Sequence, residues 1–210
     1  MGNGGINLFN INSVAGCDVA YDERDAYAVW VVLSFPELKE LEKTWAHQPI
    51  PADYHTGYLA HRELPPLLSA FAKLKTRPDV VICDAAGKAH PRKFGLACAL
   101  GRAIDIPTIG CAKRRLVEIT AEPASERGSY TTILMDGEAV GVVLRTRAGV
   151  KPVYVSPGYK ISVDEARQIV LSCCRRWRIP EPIRFAHHHA LLLRQGFKFL
   201  DVKVNYNGLG

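Results

Sequence analysis

The chain has 210 residues, of which 48% are apolar and 23% charged, and its 27 basic against 21 acidic residues give a formal charge of +6. That length favours one domain with a core large enough to need no staples. No apolar run approaches the ~20 residues of a helical membrane span, and the basic excess favours a polyanionic partner.

The first twelve residues, rich in Gly and Asn, read as an extended lead-in, so that residues 1–13 precede a single domain over 14–210. Val14–Tyr21 is a predicted strand with Asp18 inside it, and Asp22–Asp25 is a charged turn. Ala26–Phe35 is a second strand, stopped by Pro36, and Glu40–His47 reads as a third. Three strands so closely linked make an antiparallel meander. A polar loop over Gln48–Gly57 contains Tyr54. Leu64, Leu67, Leu68, Phe71 and Leu74 then fall at helical spacing. Pro65 and Pro66 suit a first helical turn, so a helix is expected from about Leu64 to Lys75, with Glu63 just before it.

Asp79–Asp84 reads as a short buried strand that stops on a carboxylate. A small-residue turn and a basic group, His90, Arg92 and Lys93, follow. Phe94–Ile104 is helical and Ile106–Gly110 is the next buried strand. Together they form a βαβ unit, hence parallel pairing. Cys111–Val117 carries Lys113, Arg114 and Arg115. Tyr130–Met135 and Ala139–Thr146 flank the turn dipeptide Asp136-Gly137. Val153–Ser156 is extended and closed by Pro157-Gly158. Ser162–Glu165 is a capping box opening a helix marked by Ala166, Ile169, Val170, Cys173 and Trp177. A last helix begins near Ile183 and carries His187, His188 and His189.

Six cysteines, Cys17, Cys83, Cys98, Cys111, Cys173 and Cys174, show neither a C-x-x-C pair nor zinc spacing. They read as small buried hydrophobes in a reducing compartment. The start, Met1-Gly-Asn-Gly-Gly, lacks a basic segment followed by an apolar run, and Ile6 stands where a myristoylation site has Ser or Thr. The expectation is a soluble cytoplasmic protein.

If the first strand lies beside Asp79–Asp84, Asp18 and Asp84 become neighbours, and Glu63 can join them. Such an arrangement is typical of the ribonuclease H-like fold: α/β, with a mixed central sheet, an antiparallel three-strand start and a parallel continuation, flanked by helices. Clustered carboxylates repel one another and want a hard cation. Mg²⁺ binds few protein carboxylates and keeps waters and phosphate oxygens, a chemistry suited to phosphodiester hydrolysis. Spacing alone leaves simpler readings open. Asp18 could be an edge residue, Glu63 a solvated residue at a helix start, and Asp84 a turn cap. Lys113 could be a surface lysine, Tyr54 a packing residue, and the three histidines a polar helix face with at most one pointing inward.

Val14-Ala-Gly-Cys-Asp-Val-Ala-Tyr21, His61-Arg-Glu63, Asp84-Ala-Ala-Gly-Lys-Ala-His-Pro-Arg-Lys-Phe-Gly95, Pro107-Thr-Ile-Gly-Cys-Ala-Lys113 and Val155-Ser-Pro-Gly158 resemble endonuclease V. They stand in that family's order over about Val14 to Gly196. The resemblance implies a Mg²⁺-dependent endonuclease, with Mn²⁺ as a substitute, acting on DNA with deoxyinosine or mismatches. It implies a cut at the second phosphodiester 3′ to the lesion, leaving 3′-hydroxyl and 5′-phosphate, in DNA repair. It makes Asp18, Glu63 and Asp84 the metal carboxylates, and Lys113 and His187 further catalytic residues. Tyr54 and Gly57 fall in its wedge loop, and His90, Arg92, Lys93 and Arg114 in its nucleic-acid-binding surface. Ala85, Gly87 and Gly95 fall in its lesion pocket. Flipping a mispaired base costs less than flipping a paired one.

Four departures stand out. The wedge, usually Pro-Tyr-Ile-Pro-Gly, is Asp53-Tyr-His-Thr-Gly57, which implies a less rigid loop. Asp-Gly-x-Gly is Asp84-Ala-Ala-Gly87, which adds a methyl beside the pocket and implies a changed base preference. Ser-Pro-Gly-His ends in Tyr159, and the usual N-terminal helical extension is nearly absent. The same chemistry on inosine-containing RNA is an alternative, since the 2′-hydroxyl separates the substrates. A non-catalytic nucleic-acid-binding module is another. The expected form is a monomer with no membrane partner. Its affinity should fall with salt through Arg92, Lys93, Lys113, Arg114 and Arg115.

Overall fold

The structure is a computed structural model, and it describes residues 10–50 and 59–196. One sheet of eight strands organises it, in the order β3-β2-β1-β4-β5-β8-β7-β6. The strands are β1 (Ser13–Tyr21), β2 (Asp25–Ser34), β3 (Glu40–Pro49), β4 (Val80–Cys83), β5 (Thr108–Ala112), β6 (Tyr130–Met135), β7 (Glu138–Leu144) and β8 (Val153–Tyr159). The helices are α1 (Leu59–Phe71), α2 (Leu96–Ile104), α3 (Val163–Ser172) and α4 (Glu181–Arg194). The antiparallel meander β1–β2–β3 and the parallel β1–β4–β5 run are both present. The parallel part ends there: β8 pairs antiparallel with β5, and β7 and β6 follow antiparallel. This is the mixed sheet of a ribonuclease H-like α/β fold.

The central strands are apolar on both faces because helices cover both. Successive side chains of a strand alternate sides. In β1, Ala15, Cys17 and Val19 pack with Leu67 of α1 and Leu100 of α2. Val14 and Ala20 pack on the other side with Ile169 of α3 and Ala186 of α4. Asp18 therefore shares the α4 face. Trp30, fully buried in β2, donates its indole N–H to the Leu67 carbonyl at 2.9 Å and locks α1 to the sheet. Truncating it to Ala would cost about 3–5 kcal/mol.

Asp79 sets the register that matters. Its Oδ2 accepts from the N–H groups of Asn12 and Ser13 and from the Ser13 hydroxyl. That pins the start of β1 to the start of β4, with Val14 opposite Val80 and Cys17 opposite Cys83. One residue further along each strand come Asp18 and Asp84.

Several element boundaries differ from the sequence expectation: α2 starts at Leu96, β5 runs over Thr108–Ala112, β7 over Glu138–Leu144 and β3 to Pro49, and four further differences bear on the site. Helix α1 begins at Leu59 and ends at Phe71, with Pro65 and Pro66 inside it. Both lack the N–H a helix interior uses, yet Leu67 and Ala70 are buried against the sheet and hold the helix there. Glu63 thus sits inside the helix, not before it. Strand β8 runs through Pro157 and Gly158 to Tyr159. A register shift at Thr108/Ile109 accompanies the proline, as expected for Pro within a sheet. Helix α3 stops at Ser172, short of Trp177, although its capping box forms as expected. Helix α4 starts at Glu181, two residues earlier than Ile183.

Candidate active site

Five elements deliver five side chains to one end of the parallel strands: Asp18 from β1, Glu63 from α1, Asp84 after β4, Lys113 after β5 and His187 from α4. Lys113 Nζ lies 2.5 Å from Asp84 Oδ2. His187 Nδ1 lies 2.7 Å from Asp18 Oδ2. A carboxylate only accepts, so this ring nitrogen carries the proton. The acids lie deep and their partners at the rim: the Asp18 and Asp84 side chains are each 16% exposed, against 46% for His187 and 40% for Lys113.

Burial pushes the Glu63 carboxyl well above the usual carboxylate range. The negative charges of Asp18 and Asp84 push it further, and Arg62 offsets only part. Burial also raises Asp84. The Lys113 ammonium and His187 pull it down while Asp18 opposes them, and burial wins. Three hard oxygen donors that destabilise one another's charge are a donor set a divalent cation would relieve. The Lys113 ammonium neutralises part of that charge, and the His187 ring N–H donates to Asp18. Among the described residues, no three His, Cys, Asp or Glu side chains stand in ready-made chelating geometry. The carboxylates fit a hard cation by chemistry and proximity, not as a closed cage. Tyr21, on the same strand as Asp18, carries the Arg62 guanidinium 4.1 Å from its ring centroid.

The loop after β4 is packed tightly. The Gly87 N–H donates to Ser156 Oγ at 2.9 Å, and a Cβ on Gly87 would stand 2.3 Å from the Pro157 carbonyl oxygen. A Cβ on Gly95 would lie 2.3 Å from the Ala86 oxygen. Ala85 is buried in the core layer of α1 and α2. A cavity of only about 10 Å³ opens beside this loop, lined by Ala86, Ala89, Arg114, Leu116 and Tyr154 among others. It is Ala86, not Ala85, that reaches it.

His90 is buried, and its Nδ1 accepts from the Arg92 N–H at 3.2 Å. It braces the loop from inside and does not stand on the surface. Burial and the Arg92 cation hold its pKa below the ordinary value. Lys93 pairs with Asp136 at 2.9 Å, fastening the loop to the β6–β7 hairpin. Arg92, Arg114 and Arg115 are exposed. Tyr54 and Gly57 lie outside the described residues. Sequence reasoning missed Trp177, Arg178 and Arg184, which line an open cleft beside Lys113 and His187.

Carboxylates gathered at the end of β1 and β4, with a lysine and a histidine at their rim, mark the class of this protein as a nuclease, a phosphodiester hydrolase. Comparison with known proteins narrows the class. The endonuclease V family model matches residues 5–188. Endonuclease V of Gloeobacter violaceus is 43% identical over 208 residues, 97% of this chain and 83% of that protein. The crystal structure of endonuclease V from Bacillus subtilis superposes with a TM-score of 0.86 at 35% identity, over 91% of this chain and 84% of that one. Endonuclease V of Ciona intestinalis, crystallised with a 24mer DNA containing an inosine followed by a ribo-adenosine, gives 0.82 at 29% identity over 93% and 91%. This chain belongs to the endonuclease V family.

Proposed function

We propose that this chain hydrolyses nucleic acid at inosine. It cuts the second phosphodiester 3′ to the deaminated base and leaves 3′-hydroxyl and 5′-phosphate ends, in DNA repair. The observation that carries the reading is the meeting of Asp18, Glu63 and Asp84 beside Lys113 and His187. Asp18, Glu63 and Asp84 would hold Mg²⁺, or Mn²⁺ in its place, which when bound supplies Lewis-acid activation of water and neutralises charge on the phosphate. Lys113 is placed to bind a phosphate oxygen once it leaves Asp84. His187 carries its proton at Nδ1 toward Asp18 and holds that carboxylate in position. The exposed Arg92, Arg114 and Arg115 suit the flanking backbone. The loop from Asp84 to Gly95, with Ala85, Gly87 and Gly95, meets the deaminated base, and the Ala85 methyl changes the base preference.

The protein acts as a single domain over residues 14–210 and as a monomer. All six cysteines are free and buried, which suits the reducing cytoplasm. Among the described residues no helix is long and apolar enough to cross a membrane.

A second reading is hydrolysis of inosine-containing RNA. The ribo-adenosine after inosine in the Ciona intestinalis complex favours it. Matched DNA and RNA oligonucleotides, with and without one inosine, in Mg²⁺ or Ca²⁺, decide the matter with Asp84→Ala as control. Mg²⁺-dependent cutting of inosine DNA is expected. Binding without cutting would sink both readings, and cutting of RNA alone would replace the first with the second.

A further inference from the structure

The segment between α3 and α4 contributes a wall that catalysis does not explain. Beside Lys113 and His187 lies an open cleft of about 250 Å³, walled by Trp177, Ile179, Ile183 and Arg184. A second cleft, of about 490 Å³, meets it at Lys113 and Arg178 and runs on past Arg145, Lys151 and Tyr154. The small cavity by the Asp84 loop shares no residue with the Trp177 cleft.

Its lining has two chemistries. Trp177 and the partly buried Ile179 make an apolar wall, which a phosphate would avoid and a nucleobase would favour. The Arg184 guanidinium lies 4.6 Å from the Trp177 ring centroid and is held by Glu181 at 2.7 Å. An aromatic ring with a guanidinium is a platform on which bases of any identity stack. Between the two clefts stands Arg178. Its Nη2 donates to the carbonyls of Lys113 at 2.9 Å and Pro152 at 2.8 Å. Its Nε is buried and has no hydrogen-bond partner among the described residues. Arg178 thus fixes the backbone that carries Lys113 and keeps positive charge on the path between the clefts.

We propose that the Trp177 cleft seats the nucleotide immediately 3′ of the scissile phosphate, its base against Trp177 and Arg184, and that the strand leaves over Arg178 toward Lys151. This rests on the nuclease reading above. Lys113 and His187 are shared by cleft and catalytic centre, so a nucleotide there is continuous with the bond being cut. Because stacking reads a π-face and not a base edge, the site favours the presence of a 3′ nucleotide without selecting its sequence.

Removal of a single base tests it. Inosine DNA with five nucleotides 3′ of the cut is compared with DNA bearing only the 5′-phosphate group's own nucleotide replaced by an abasic residue. The wild type should prefer the intact substrate by about tenfold in kcat/KM. Trp177→Ala should erase that preference, and Trp177→Phe should keep most of it. In a Trp45→Phe background, where the fully buried Trp30 gives a constant signal, binding of the intact DNA in Ca²⁺ should quench the Trp177 part of the fluorescence, and the abasic DNA should not. An unchanged preference in a folded Trp177→Ala, or equal fluorescence with both DNAs, would overturn the proposal. A wild type that cuts neither inosine DNA would instead overturn the nuclease substrate on which it rests.

Discussion

His187 Nδ1 meets Asp18 Oδ2 at 2.7 Å across 169 residues of sequence. The contact depends on how closely α4 lies on β1, and Gly16 sets that closeness. Gly16 stands two residues before Asp18, on the same face of the strand. A Cβ there would lie 2.1 Å from the Pro182 carbonyl carbon and 2.2 Å from its oxygen. Backbone, not a flexible side chain, occupies the space.

Gly16→Ala should therefore force the start of α4 away from the sheet. Ala is compatible with strand backbone, so the expected cost of about 3 kcal/mol comes from overpacking. Urea unfolding should show an earlier midpoint, and cutting of inosine DNA should fall because His187 moves with the helix. Gly137→Ala is the contrast: nothing lies within 4 Å of its Cβ, and its φ of +77° charges only local backbone strain. It should weaken folding and leave the cutting rate of the folded fraction intact. Equal effects of the two on cutting by folded protein would refute the role given to Gly16.

Replacing His187 itself tests the contact without moving the helix. His187→Ala should slow single-turnover cutting about 10²-fold while the unfolding midpoint changes little, since the side chain is 46% exposed. Glu63 and Asp84 remain in place, so Ca²⁺-supported binding of the oligonucleotide should persist. Loss of binding in step with rate would move His187 from proton placement to substrate holding.

Lys113 should behave differently, because its charge answers both Asp84 and the backbone of the nucleic acid. Lys113→Ala should reduce cutting and also flatten the salt dependence of binding, by about 0.7–0.9 in the slope of log K against log salt for one lost phosphate contact. Lys113→Arg should restore the slope without restoring the rate, since a planar fork replaces a point charge. A salt slope identical in wild type and Lys113→Ala would show that Lys113 stays on Asp84 when nucleic acid binds.

Much of this site was legible because its chemistry sits at places the pattern marks. Asp18 interrupts an apolar strand, and Asp84 terminates one. The parallel β1–β4 pairing that brings them together was a condition in the sequence, because the βαβ spacing sets β4 beside β5 and says nothing of β1. Glu63 was found by motif, and its helical setting was misplaced: two adjacent prolines read as a helix start, whereas packing of Leu67 and Ala70 holds them mid-helix. Trp177 was hidden by a periodicity that outlasts its helix. Cys173 and Trp177 are four apart, as on one helical face, but α3 ends at Ser172 and Trp177 turns toward Arg184. The proline at 180 was the available signal that the chain changes direction there. The stacking of Arg184 on Trp177 needs the αα turn to be formed, and no local pattern encodes it. The length of β8 was missed for a similar reason, because a bulge in β8 at Gly158, opposite Thr108 and Ile109 of β5, accompanies Pro157 and lets the strand run on.

His189 gives the fold a pH dependence of its own. It is 1% exposed, and burial holds its pKa down to about 4. The Lys43 cation and His188 push the same way, and the Glu40 carboxylate, 4.0 Å from Nε2, opposes them. The folded chain therefore keeps His189 neutral where the unfolded chain, titrating near 6.5, takes up a proton. This contribution to stability is complete above about pH 6.5 and is lost as pH falls toward 4, by at most about 3 kcal/mol. Glu63 and Asp84, whose carboxyls are raised in the folded state, act in the opposite sense, so the raw pH profile is a sum. The His189 part is isolated by difference. Urea midpoints of wild type and His189→Gln, each measured at pH 7.5, 6 and 5, should diverge most at pH 7.5 and draw together toward pH 5. Two curves that stay parallel across that range would show that His189 takes up its proton in the folded state as readily as in the unfolded chain.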